Sequence, residues 1–109
     1  MTASMLHDTR CDEARFERDR IRRALLAARP SLAARLALGP TGALTVPLPR
    51  GRAIEVGRMR RSGIARWVVV EPLGDGARVH QFASVEDCVR IVLAALARRA
   101  RGAAERRAG

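Results

Sequence analysis

Apolar residues recur at helical spacing towards both ends of this chain and alternate with polar ones in the middle, and that change of period divides it into elements. From Asp12, residues Ala14, Ile21, Leu25 and Ala28 fall on one face of a helix whose first turn carries acids, as the helix dipole favours. Arg15 with Asp19, and Asp19 with Arg23, stand four apart on its polar side, while Phe16 and Leu26 point away from the apolar stripe. Pro30 disfavours helical geometry at Arg29 and so ends this helix. Pro30-Ser31 then opens a second, short helix with Leu32, Leu36 and Ala33 facing inward, closed by Gly39 and Pro40.

After Gly42 the period becomes two. Leu44, Val46 and Leu48 alternate with Thr45 and Pro47, which predicts a strand over Ala43 to Leu48, placed at a sheet edge by its proline. A second strand, Arg52 to Arg60, carries Ile54 and Val56 on one face, with Gly57 as a bulge. Arg61-Ser62-Gly63 turns the chain into the most β-prone run, in which Ile64, Val68 and Val70 share one face and Trp67 and Val69 the other. Gly74-Asp75-Gly76 is the next turn and Arg78 to Phe82 a partner strand. Ser84 caps a final helix, with Asp87 at the reciprocal capping position and Val85, Cys88, Val89, Val92, Ala95 and Leu96 on its apolar face.

The predicted fold is α+β: N-terminal helices, a four-stranded antiparallel meander and a C-terminal helix packed on the sheet. The third strand is apolar on both faces, so the C-terminal helix covers one and the N-terminal helices or a second subunit the other. Residues 1–11 are expected to be a flexible N-terminus, residues 12–101 a single domain, and residues 102–109, beyond a helix stop at Gly102, a flexible basic tail.

Charge changes the picture from fold to partner. The chain of 109 residues carries a net charge of +10, all of its basic side chains being arginine. Arginine without lysine, beside abundant alanine and glycine, is also what a GC-rich coding sequence produces, so only local excess is informative. Residues 50–66 hold such an excess: Arg50, Arg52, Arg58, Arg60, Arg61 and Arg66 against Glu55 alone. Guanidinium groups pair bidentately with phosphates and guanine edges, and a two-stranded ribbon fits the major groove. These six arginines are the expected nucleic-acid-binding residues, with the basic tail assisting. Aromatic platforms for stacking single-stranded bases are missing, since Trp67 lies in the most apolar strand, so duplex DNA is the expected form. Ordinary solvated arginines on a sheet face are the competing reading. An acidic protein docking the same surface, with Phe16, Leu26 and a free sheet edge as contacts, is the alternative function.

Other chemistry finds little footing. His7, Cys11, His80 and Cys88 match no standard zinc spacing, so no metal or cofactor is expected. No phosphate-binding glycine loop and no nucleophile with a histidine partner is present, and a non-enzymatic regulator is expected. Glu71-Pro72 reads as a strand end. With no export signal or membrane-length apolar run, the expectation is a cytoplasmic protein with reduced thiols and no membrane partner. A core of this modest size would gain from a homodimer.

Overall fold

The alternating middle of the chain forms a sheet, and its helical ends form two helices against it. The structure, a computed structural model, describes residues 12–108. In order these are α1 (Asp12–Ala28), a 3-10 turn at Pro30–Ala34, β1 (Ala37–Leu38), β2 (Leu44–Pro47), a turn at Pro49–Gly51, β3 (Ala53–Arg61), β4 (Ile64–Leu73), β5 (Gly76–Gln81) and α2 (Val85–Ala108). The strands lie side by side in sequence order, every neighbour antiparallel. The expected N-terminal stretch 1–11, with His7 and Cys11, lies outside the described residues.

Register decides which side chains make the core. Leu44 stands opposite Val56, Val46 opposite Ile54, and Val56 opposite Val69. Residues directly opposite in an antiparallel ladder share a face, so these five form one apolar surface. Ile21 and Leu25 of α1, Leu32 of the 3-10 turn, and Cys88, Val92, Ala95 and Leu96 of α2 close over it in a single buried cluster. Both helices therefore cover the same face and pack along each other, which corrects the expectation of cover divided between two faces. On the other face Val68 and Val70 are buried in a smaller cluster with Ala43, Met59 and Val79, to which neither helix contributes. Leu26 packs at the margin of the main core and widens the arc of α1 that is covered, whereas Phe16 remains 63% exposed.

Further expectations are revised. The sheet has five strands rather than four, because Ala37–Leu38 leaves the 3-10 turn to pair with Thr45 and Leu44. Gly39 serves this hairpin instead of stopping a helix: its N–H donates to the Ala43 carbonyl at 2.9 Å, and a Cβ there would press on Thr45 Cγ2 at 3.3 Å. Gly57 makes no bulge; it pairs in unbroken register with Val68. α2 does not stop at Gly102 but runs to Ala108, since one interior glycine costs only about 1 kcal/mol relative to alanine and its neighbours are good helix formers. Among the described residues the ion pairs on α1 are Arg18 with Asp19 and Arg20 with Glu17, in place of the i,i+4 pairs.

The α2 start is as expected at its cap, where the Asp87 N–H donates to Ser84 Oγ at 3.1 Å. The Asp87 carboxylate, however, accepts from Arg90 at 2.8 Å. Among the described residues no helix is long and apolar enough to cross a membrane.

Leu25 is fully buried in the cluster shared by both helices, so Leu25→Ala is expected to cost about 2–5 kcal/mol. Phe16→Ala is expected to stay within about 0.5 kcal/mol. Urea unfolding of the two variants beside the parent protein measures both.

Candidate nucleic-acid interface

The pairing of β3 with β4 continues where the rest of the sheet stops. β2 pairs with β3 only over Ala53 to Val56, and β5 with β4 only from Val68 to Leu73, yet the β3–β4 ladder runs on to Arg61 opposite Ile64. Residues 58–61 and 64–67 thus continue as a two-stranded ribbon past the neighbouring strands, on the order of 13 Å long at the usual rise of a strand. Ser62 (φ 53°) and Gly63 (φ 79°) close it in a two-residue turn, positive at both central positions as the twist of a hairpin requires. Arg60 Nη1 donates to the Gly63 carbonyl at 3.0 Å and braces that turn.

Four of the six arginines singled out from the sequence lie on this ribbon, on both of its faces. Arg58 and Arg60 share one face with Ala65 and Trp67; Arg61 and Arg66 share the other with Met59 and Ile64. In the register no arginine faces another: Arg58 stands opposite Trp67, Arg60 opposite Ala65, Arg61 opposite Ile64 and Arg66 opposite Met59. Like charges directly across a ladder destabilise it, and this spacing avoids them. Arg60, Arg61 and Arg66 are exposed, Arg58 half-buried. Among the described residues Arg58, Arg61 and Arg66 have no hydrogen-bond or ion-pair partner. Glu55, the acid of the same sequence stretch, sits opposite Val70, on the order of 20 Å from Arg61 along the strand. Burial pushes its carboxyl above the ordinary value of 4.5, with no basic group opposing the shift.

The other two arginines lie elsewhere. Arg50 lies within the Pro49–Gly51 turn and Arg52 follows it at the start of β3, about 30 Å from Arg61 at ~3.3 Å per residue. Arg50 holds a left-handed backbone (φ 67°), and Arg52 Nη2 donates to the Gly74 carbonyl. This pole also receives α2, whose Arg98 bonds Glu71 and whose Arg99 donates to the Pro72 carbonyl. The expected single surface is two basic poles at opposite ends of β3.

Sequence reasoning missed Glu71. It shares the helix-facing side of β4 with Trp67 and Val69 and is only 2% exposed. Its Oε1 accepts from His80 Nε2 at 3.1 Å and from Arg98 Nη2 at 2.8 Å, tying β4, β5 and α2 together. Burial, the largest single effect, would raise this carboxyl, but the hydrogen bonds from His80 and Arg98 and their charges together bring it below the ordinary 4.5. An acid two residues on from two inward-facing positions was the available signal. Its partners depend on register and helix placement, which no local pattern specifies.

At the base of the ribbon an open cleft of about 510 Å³ lies between α1 and the β5–α2 junction, lined by Glu17, Arg20, Ile21, Trp67, Phe82 and Glu86 among others. Trp67 packs against the main core, as its strand predicts. The Cys88 thiol is buried in that core and pushed up to about 12 by burial, so it stays a neutral apolar filler. Among the described residues no group of three or more His, Cys, Asp or Glu side chains is placed to share a metal ion.

No family model, no curated protein and no solved structure matches the chain.

The Glu71 carboxyl is lowered on folding, so its contribution to stability is full above pH 4.5 and is lost as pH falls through the lower folded value. Near neutral pH, Glu71→Ala is expected to cost about 3 kcal/mol, at the low end for a broken buried pair because Arg98 is half-exposed and can turn to water. Urea midpoints followed from pH 7 to pH 3 should show the parent and Glu71→Gln proteins converging at the acid end. Parallel curves would contradict the assigned role of this carboxylate.

Proposed function

We propose that this protein is a non-enzymatic, cytoplasmic nucleic-acid-binding regulator that grips duplex DNA with the β3–β4 ribbon. The observation that carries the reading is a ribbon whose ladder runs on past β2 and β5, with Arg58, Arg61 and Arg66 unpartnered among the described residues. Holding like charges on a narrow projection is unfavourable in the isolated protein, and a polyanion relieves it. A groove of duplex DNA has a phosphate wall on each side, and arginines on both ribbon faces can meet both walls. Trp67 packs against the core and reaches the surface only in the cleft at the ribbon base, away from the arginine-bearing tip, which favours duplex over single strands.

The second basic pole fits the same ligand. Arg52 stands about 30 Å from the ribbon tip, with Arg50 two residues before it, close to one turn of B-DNA at about 34 Å. Contacts at the two poles would then fall on the same side of one duplex. The alternative, an acidic protein partner, retains one specific support in the exposed Phe16, while Leu26 is taken up by the core.

The combined variant Arg58→Ala, Arg60→Ala, Arg61→Ala tests the assignment by titration against a labelled duplex of random sequence at several salt concentrations. The parent is expected to bind saturably, with affinity falling steeply with salt. The variant should bind about 10- to 100-fold more weakly and show a salt slope shallower by about 2–3, roughly 0.9 for each phosphate no longer neutralised. Its thermal midpoint should be nearly unchanged. Equal affinity and equal slope for the two proteins would remove the ribbon from the interface and return attention to the acidic partner.

A further inference from the structure

Ile64 is the feature of the ribbon that phosphate binding leaves unexplained. It is 54% exposed, yet it adjoins the Ser62-Gly63 turn, making it the large apolar side chain nearest the tip. Its cross-strand partner is Arg61, and Arg66 follows two residues on along the same face. What sets Ile64 apart from the other exposed apolar side chains, Phe16, Leu38 and Leu73, is its place at the tip of the ribbon between two arginines that have no partner among the described residues.

We infer that Ile64 is a wedge that enters a base step of the bound duplex, unstacks it and bends the DNA, so that the protein selects bent or readily deformed duplex. The inference rests on the duplex reading above and specifies the kind of duplex. Proteins that insert apolar side chains in this way do so from the minor groove and kink the helix towards the major groove. Three properties of the tip suit the task. The two-residue turn, braced by the Arg60 bond to the Gly63 carbonyl, fixes the direction of the ribbon end. The β-branched side chain has few rotamers to lose on insertion. Arg61 and Arg66, unpartnered among the described residues, flank the wedge and can hold the phosphates on either side of the opened step. Flexible pyrimidine–purine steps such as TA and CA/TG yield most easily, so they define the expected sites.

The test uses the full chain and a duplex carrying 2-aminopurine beside a central TA step, where fluorescence rises when the base unstacks. The parent protein should bind saturably and raise the fluorescence. Ile64→Thr preserves strand propensity and every arginine; it should still bind, about tenfold more weakly, with the rise abolished. Ile64→Leu should restore the rise. Thermal melts of the variants, expected to coincide with the parent's, separate a lost wedge from a lost fold. An unchanged rise with Ile64→Thr, or saturable binding of the parent with no rise, would overturn the wedge while leaving the duplex reading standing. Absence of saturable binding by the parent would overturn both.

Discussion

The pairing of β3 with β4 is the constraint on which the rest of the molecule depends. Its inner half sets Ile54 and Val56 beside Val69 and so creates the surface on which both helices pack. A slip of one residue would turn that whole set to the opposite face and leave the helices nothing to cover. The Ser62-Gly63 turn resists such a slip, because only a short loop with positive φ at both positions joins these strands in this register. The outer half of the same ladder runs past β2 and β5 and becomes the ribbon. Core and candidate interface are two stretches of one hairpin, and neither can be moved without the other.

Charge is arranged to suit that division. On the ribbon every arginine faces a neutral or apolar side chain across the ladder, so repulsion is spread without disturbing the pairing. At the far pole arginines are used structurally: Arg52, Arg98 and Arg99 close onto Gly74, Glu71 and Pro72 and fasten α2 across the strand ends. Glu71 is the hinge of this arrangement, since its buried carboxylate is acceptable only with His80 and Arg98 against it. One residue type thus has two roles: Arg98 and Arg99 fasten the helix to the strand ends, while Arg58, Arg61 and Arg66 on the ribbon have no partner among the described residues.

Much of this was legible in the sequence where one residue decides a local outcome. Ser84 caps its helix, Pro30 ends another, and the glycine-bearing turns at Ser62-Gly63 and Gly74-Asp75 fall where their residue types predict. The period-two run over residues 44–81 marked out the central strands and their inward faces. What depended on tertiary placement was not legible. Ala37–Leu38 became a strand only because β2 lay beside it. Gly102 was overridden by its helix-forming neighbours, and both helices chose one face because their stripes fit each other as well as the sheet. Among the candidate residues, adjacency in sequence placed Arg58, Arg60, Arg61 and Arg66 together. It failed for Arg50 and Arg52, because a nine-residue strand carries its two ends to opposite poles.

Amide chemical shifts of the labelled protein titrated with a short DNA duplex would locate the interface on the β3–β4 hairpin or away from it. The largest changes are expected on residues 57–67, with the Arg61 and Arg66 side-chain Nε–H signals among them and the core amides of Val69 and Val92 nearly still. Changes confined to residues 97–108 of α2, or spread evenly over every exposed arginine, would contradict the ribbon interface and mark the ribbon charge as generic.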